Sequence, residues 1–124
     1  DYFEADMLDA ATAFPAGQDA IWMSQFLSCF GADSIASILR RAAASLHDDG
    51  RVFILDTFWD RQQFDIAAYC IINTSPYFTA MANGVSKMYR SREYIELAAA
   101  AGLRLVDIRD GMGLSHSLLT FVKD

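Results

Sequence analysis

The sequence predicts an α/β fold in which a helix connects two parallel strands of one sheet. Two short apolar runs, residues 19–23 and 51–56, are each bounded by polar or turn residues, which is typical of strands covered on both faces. Between them, apolar side chains recur at helical spacing over residues 33–46. A right-handed crossover makes such strands neighbours whose carboxyl ends open at one edge, where α/β sheets bind ligands. We therefore expect functional residues within 23–30 and 56–59.

The segments around this unit are interpreted from turn and capping residues. Residues 1–9 are expected to hold a short strand, and residues 10–18, with a proline and a glycine, form a loop. Asp33 or Ser34 can cap the first turn of the crossover helix. The Asp-Asp-Gly run at residues 48–50 predicts a turn before the second strand.

Downstream, the pattern predicts a helix over residues 61–72, interrupted before Pro76 because proline removes a backbone donor. A second helical piece over residues 77–82 is expected to end at Asn83-Gly84, a left-handed stop. Apolar patterning and turn glycines then predict one more helix and two more strands, at residues 91–101, 103–108 and 117–122.

Composition and charge argue against several classes of partner. The formal net charge of −6 disfavours a nucleic-acid partner, since phosphate binding requires a clustered basic surface. The longest basic cluster is the pair Arg40-Arg41, which we interpret as the solvated face of the crossover helix. No apolar stretch approaches the ~20 residues that span a bilayer, so no membrane partner is expected.

The two cysteines indicate the redox compartment. Cys29 and Cys70 provide neither a disulfide framework nor the spacing of a metal site. Both lie in apolar surroundings, which favours small buried side chains in a reducing compartment over reactive thiols. We therefore expect a cytoplasmic protein without a metal.

Four segments resemble the S-adenosylmethionine-dependent O-methyltransferase family, above all its small-molecule members that methylate phenolic or hydroxyindole oxygens. These segments are Ala5-Asp-Met-Leu8, residues 19–30, residues 38–43 and Gly50-Arg-Val-Phe-Ile-Leu-Asp56. The resemblance implies a Rossmann-like class I methyltransferase fold, with this chain as the carboxyl half of a seven-stranded, mostly parallel sheet. Residues 1–124 would form a partial catalytic domain, because the N-terminal glycine-rich cofactor half of the family has no counterpart in the sequence.

The resemblance also implies a function. It is methyl transfer from S-adenosylmethionine to a hydroxyl of a small aromatic or polyketide-like acceptor, carried out as part of a longer protein. The fragment alone is expected to be inactive, because it lacks the glycine-rich turn. The alternative is a non-catalytic, methyltransferase-like module for dimerisation or ligand binding.

Three residues are the cofactor-binding candidates. Asp6 and Met7 match the family positions at which an aspartate accepts from the adenine amino group and a methionine covers the ring. Ser24 directly follows the first predicted strand, within the segment where functional residues are expected. From the residues alone, the favoured interpretation is that Asp6 is a turn residue and Met7 a core residue.

Asp56 and Ser28 are the catalytic candidates. Asp56 matches an acidic residue that orients the catalytic base in the family, although a carboxylate there can equally cap a helix. Ser28 stands where the plant phenol-modifying enzymes have a histidine base, and serine cannot take a proton unaided. The base therefore stays open; His47 is expected at the opposite edge, and His116 in a loop is not a catalytic candidate.

Aromatic and methionine side chains mark the acceptor-binding region of the family. The candidates are Trp59, Tyr77, Phe78, Met81 and Asn83, which suit a flat, largely apolar small-molecule acceptor. The competing interpretation is that such residues at helical spacing belong to the core.

The strand at residues 19–23 also bears on assembly. In a complete fold of this family its outer side pairs with a strand that the chain does not contain, so an apolar edge is left unpaired. We therefore expect the chain to form a homo-oligomer.

Overall fold

The computed structural model describes residues 2–82 and 84–124, which form a mixed α/β fold around one four-stranded sheet. The strands are β1 (Gln18–Ser24), β2 (Leu46–Asp56), β3 (Leu103–Met112) and β4 (His116–Lys123). The helices are α1 (Ala32–Ser45), α2 (Asp65–Met81) and α3 (Ser91–Ala100), with single 3₁₀ turns at Leu27–Cys29 and Trp59–Arg61.

The predicted strand–helix–strand unit is confirmed. The strands β1 and β2 are parallel neighbours, with Met23 opposite Ile54, and α1 connects them. The sheet order is β1-β2-β4-β3, and both remaining pairs are antiparallel. Within these four strands the sheet is therefore mostly antiparallel. The strand β4 follows β3 after a three-residue turn at 113–115 and lies between β2 and β3. So short a connection can join only antiparallel strands.

One face of the sheet and the helices α1 and α3 form the core. Each helix presents its periodic apolar residues to the same buried cluster, and each such aliphatic side chain contributes ~1.5–3 kcal/mol relative to exposure. The main members are Val52, Ile54, Leu119 and Phe121 from the sheet, and Ile35, Ile38, Leu39, Tyr94 and Ala98 from the helices.

The opposite face of the sheet is less covered. Trp22 packs on the neighbouring ring of Phe53, with centroids 5.9 Å apart, yet 56% of its surface stays exposed. The strand β1 lies at the edge of the sheet, as predicted.

The start of β2 differs from the prediction. Instead of a turn at residues 48–50, the strand begins at Leu46 and its register against β1 shifts between Gln18 and Ala20. Gly50 allows this close approach, because a Cβ there would lie 2.8 Å from the Gln18 carbonyl oxygen. The predicted cap of α1 is also wrong, since Gly31 is the N-cap and no side chain caps the helix.

The segment before β1 contains turns and no strand over residues 2–9, so the strand predicted there is wrong for the described residues. Asp1 lies outside them. No described part of this segment pairs with β1, which stays at the edge of the sheet. Side-chain hydrogen bonds, rather than the backbone hydrogen bonds of a strand, attach this segment to the rest of the fold.

Pro76 does not interrupt α2, contrary to the prediction. Local side chains donate to neighbouring carbonyl groups: Asn73 Nδ2 to Tyr69 at 2.7 Å and Thr74 Oγ1 to Ile71 at 2.6 Å. The helix has no buried residue, so solvent can hydrate the carbonyl that proline leaves without a donor. The lost backbone bond is therefore tolerated.

Both cysteines are exposed, so the prediction of buried thiols is wrong. Cys70 lies on α2, whose apolar sequence suggested a core helix but which packs no residue into the core. Among residues 2–82 and 84–124, no helix is long and apolar enough to cross a membrane. The same residues contain no cluster of three or more metal-ligating side chains.

Candidate active site

Asp56 is a buried carboxylate at the carboxyl end of β2, with 3% of its surface exposed. The sheet places it there, because Asp56 continues the inward-facing series of Val52 and Ile54 and has Ser117 of β4 opposite. Its Oδ1 accepts from the Thr57 amide at 2.8 Å. Its Oδ2 accepts from the Tyr94 hydroxyl at 3.1 Å.

Burial raises the pKa of Asp56 above its usual range. The hydrogen bonds from Thr57 and Tyr94, a weaker polar contact with the Ser28 hydroxyl and the charge of His116 all act to lower this pKa, but burial prevails. Burial beside this carboxylate also raises the pKa of Tyr94, so its hydroxyl stays a donor. Asp56 is thus a stronger base than an ordinary aspartate.

Asp56 faces a small cavity of about 150 Å³. The cavity brings together both catalytic candidates, Asp56 and Ser28, with one acceptor candidate, Phe78. The other described residues of its wall are Gln25, Cys29, Thr57, Ala82, Ser86, Lys87 and Met88. Apolar walls around one basic carboxylate suit a small, largely apolar molecule with one hydroxyl group.

Hydrogen bonds between two chain segments close this cavity. The Lys87 amide donates to the Ser28 carbonyl at 3.2 Å, and the Tyr89 hydroxyl donates to the Phe30 carbonyl at 2.7 Å. Thr79 Oγ1 donates to the Ser86 carbonyl at 2.6 Å, which joins the end of α2 to the same segment. These polar contacts, together with the buried ring of Tyr89, hold the wall in place.

A second, larger cavity of about 480 Å³ lies beside β1. It contains two of the cofactor candidates, Met7 and Ser24, among mostly apolar side chains. The others are Phe3, Ala5, Phe14, Ile21, Trp22, Met23 and Phe26. Asp6 does not line this cavity; it is exposed, and its Oδ1 accepts from the Leu8 amide at 2.9 Å. The alternative of a turn residue thus describes the geometry of Asp6.

A single sharp turn after β1 separates the two cavities. Ser24 lines the larger cavity and Gln25 the smaller one. Gln25 has a φ of +47°, a left-handed conformation that is uncommon outside glycine, and its amide donates to the Leu55 carbonyl at 2.8 Å. Such backbone outliers cluster at functional sites, where neighbouring structure holds them in place.

The remaining acceptor candidates lie apart from the small cavity. Tyr77 and Met81 are exposed on α2, and neither lines the cavity. The Arg90 guanidinium lies 4.3 Å from the centroid of the Trp59 ring, outside the wall of this cavity. Asn83 lies outside the described residues.

The segment after Asp56 is tied to the start of α3. Asp60 accepts from both the amide and the hydroxyl of Ser91, each at 2.8 Å. A carboxylate at a helix N-terminus is favourable because it meets free amides and the positive end of the helix dipole. These two hydrogen bonds, the Asp60–Ser91 bracket, fix the position of the helix that carries Tyr94 relative to the strand that carries Asp56.

Sequence reasoning missed Tyr94. Its position in the first turn of α3, four residues before the buried Ala98, indicates only a core residue, because the hydroxyl partner lies 38 positions earlier. His116 is predicted in a loop, but it begins β4 beside Asp56.

Comparison with known proteins relates the fold to solved structures. The mitomycin 7-O-methyltransferase MmcR matches with a TM-score of 0.76 and 18% identity, over 97% of this chain and 33% of its own. The O-methyltransferase NcsB1 of neocarzinostatin biosynthesis, in complex with S-adenosyl-L-homocysteine and 1,4-dihydroxy-2-naphthoic acid, matches with 0.73 and 22%, over 97% and 33%. The chain therefore shares its fold with about one third of these O-methyltransferases.

The same fold occurs in an enzyme of another kind. A pericyclic reaction enzyme matches with a TM-score of 0.76 and 21% identity, over 94% of this chain and 29% of its own. No protein-family model and no curated protein matches the sequence. At these identities the likeness establishes the fold, and activity has to be argued from the site.

Proposed function

We propose that this chain is the carboxyl half of a Rossmann-like, seven-stranded catalytic domain that transfers methyl groups from S-adenosylmethionine to hydroxyl groups. The acceptor would be a small aromatic or polyketide-like molecule. One observation carries the proposal: Asp56, a buried carboxylate with a raised pKa, faces a small apolar cavity one turn away from a larger one. The O-methyltransferase activities of MmcR and NcsB1 support this assignment.

The larger cavity fits the adenine end of the cofactor. Met7 offers a polarisable thioether, and Phe14 and Phe26 offer ring faces to a flat heterocycle. Asp6, immediately before Met7, would accept from the exocyclic amine, and Ser24 would bind nearer the small cavity. The ribose and carboxylate ends would be held by a glycine-rich half upstream of this sequence.

The small cavity would hold the acceptor hydroxyl. Asp56 takes the proton of this hydroxyl, either directly or with the Ser28 hydroxyl between them, and Phe78 and Met88 orient the acceptor. When bound, the cofactor supplies a sulfonium methyl group that is already strongly electrophilic, so the acceptor oxygen needs only modest activation. Tyr94 holds Asp56 in place throughout.

The test is methyl transfer by the intact protein that carries this sequence. Phenolic and naphthoic acceptors are offered with S-adenosylmethionine, and a mass gain of one methyl group is measured. We expect Asp56→Asn to lower turnover ~100-fold or more, the usual loss for a general base. Ser28→Ala should stay within about tenfold, because water can replace its hydroxyl.

Asp107→Asn is the matched control, since Asp107 is exposed on β3 and pairs only with Arg109 in the part of the chain described. It should retain wild-type turnover. Wild-type turnover in Asp56→Asn, with the fold intact by circular dichroism, would contradict the assignment of the base. Absence of methylation with every acceptor, together with tight ligand binding, would favour the non-catalytic binding module.

Two further predictions accompany this function. A homo-oligomer is proposed because β1 is an edge strand and Trp22 is exposed beside it. The cytoplasmic location stays a prediction from the absence of a disulfide framework.

A further inference from the structure

Arg41 on α1 departs from its predicted role as a solvated residue. Its Nη2 donates to the Met7 carbonyl at 2.6 Å, and its Nη1 donates to the Asp9 and Thr12 carbonyls at 3.2 and 3.1 Å. The guanidinium also lies 4.8 Å from the centroid of the Phe14 ring. One side chain therefore binds four residues of the segment before β1.

Its neighbour Arg40 makes a useful contrast. Arg40 is exposed, and its Nε donates to the Ala36 carbonyl one turn earlier on the same helix. Arg41 has the same residue type and the next position, but it is half-buried and reaches more than 25 residues back along the sequence. Replacing Arg40 removes a positive charge from α1, whereas replacing Arg41 also removes the contacts with the segment before β1.

The contacts of Arg41 depend on the shape of its side chain. The guanidinium is a rigid planar fork with five donors, whereas a lysine offers one compact ammonium on a flexible stem. The bound segment has no strand ladder, and its own bonds are local: Asp9 accepts from the Ala11 amide at 3.0 Å and from Thr12 Oγ1 at 2.7 Å. Arg41 therefore fixes where this locally folded turn sits on α1.

We propose that Arg41 is a positioning residue for adenine recognition, an inference that rests on the proposed function. It binds the carbonyl of Met7, the residue that would cover the adenine ring, and thereby fixes the Met7–Leu8 peptide, whose amide donates to the Asp6 carboxylate. A carboxylate has about four acceptor sites, so the Leu8 contact leaves Asp6 able to accept from the exocyclic amine. Arg41 would thus control selectivity for a purine that carries this amine.

The test compares two ligands on the intact protein by calorimetric titration. They are S-adenosylhomocysteine and its 6-deamino analogue, which has purine in place of adenine and lacks only the amine. The wild type should bind the adenine compound at least about tenfold more tightly, as expected for a hydrogen bond to a charged group. Arg41→Met, which keeps an apolar stem, should bring this ratio close to one by weakening the adenine compound.

Three variants complete the design. Arg40→Met is the matched control and should keep the wild-type ratio, because Arg40 contacts only its own helix among the described residues. Asp6→Ala, at an exposed position, should remove the preference for adenine without affecting folding. Arg41→Lys should give a ratio between those of the wild type and Arg41→Met, and it serves as the test if Arg41→Met unfolds.

Equal weakening of both ligands in Arg41→Met or Arg41→Lys would overturn the inference, because it would indicate a general structural role. An unchanged ratio in both would overturn it as well. If the wild type binds neither ligand, the proposed function fails and this inference fails with it. If the wild type binds both ligands equally, this inference is overturned while the proposed function stands.

Discussion

Replacing Tyr94 with phenylalanine removes one hydroxyl group from the buried contact with Asp56. Tyr94 is fully buried and Asp56 is 3% exposed, so water cannot replace the lost donor without entering the core. The ring itself stays packed edge-on against Phe58, with centroids 5.2 Å apart. The substitution therefore isolates the hydrogen bond from the packing.

The expected cost follows from the charge of the acceptor. Hydrogen bonds to charged groups contribute ~1.5–3 kcal/mol and neutral ones ~0.5–1.5 kcal/mol. Tyr94→Phe should therefore lower the free energy of unfolding by about 1.5–3 kcal/mol at pH values where Asp56 is ionised. Tyr89→Phe is the matched control, because its hydroxyl donates to the neutral Phe30 carbonyl, and it should cost only about 0.5–1.5 kcal/mol.

The pH dependence gives the sharper test. Tyr94 acts to lower the pKa of Asp56, so Tyr94→Phe should raise this pKa further above its usual range. The folded variant then binds a proton at higher pH than the wild type does, so its stability deficit should shrink as the pH falls through the pKa of Asp56. Ionising Asp56 itself costs stability as the pH rises from the ordinary aspartate range through its raised pKa.

The assay is urea unfolding of wild type, Tyr94→Phe and Tyr89→Phe at several pH values, together with pH profiles of turnover. The acid limb of turnover should move to higher pH in Tyr94→Phe and stay in place in Tyr89→Phe. Equal, pH-independent losses of stability in both variants would refute a direct role of Tyr94 on the carboxylate.

Two further predictions concern backbone strain and a surface ion pair. Gln25→Gly should raise the free energy of unfolding by up to about 1 kcal/mol, because glycine adopts the φ of +47° without strain; a Gln25→Gly protein less stable than Gln25→Ala in urea would contradict this. Arg61 donates to both carboxylate oxygens of Asp110 and holds the pKa of Asp110 below its usual range. Asp110→Asn should therefore cost at most about 1 kcal/mol at neutral pH, since the pair is partly exposed, and this cost should vanish as the pH falls through the lowered pKa; a deficit that persists at acid pH would argue against the ion pair.

Local patterns were sufficient for the elements that bury a face of their own. The β1–α1–β2 unit, α3 and the last two strands were predicted because apolar periodicity and turn glycines determine them together; Gly102, for example, has a φ of +79° at the end of α3. The prediction was wrong for Pro76, because an exposed helix tolerates a proline that a buried one would not. It was also wrong for the strand at residues 2–9.

The candidate site was predictable where strand ends determine it. Asp56 and Ser28 share a cavity because parallel strands bring their carboxyl ends to one edge. The roles of Tyr94 and Arg41 could not be predicted from the sequence. Their hydrogen-bond partners lie about 30 or more residues away, and no local pattern connects them. For the same reason, the contact of Trp59 with Arg90 could not be foreseen.

The bracket between Asp60 and Ser91 bears on how such a protein can change during evolution. Both bonds require an acceptor at position 60, but only one requires a hydroxyl at position 91, because the other is donated by the backbone amide. Substitution at one position is therefore constrained by the residue at the other. Neither residue lines the small cavity that Asp56 faces. Homologous sequences should show these two positions varying together, and the pair can serve to align the segment after Asp56 when overall identity is too low to do so.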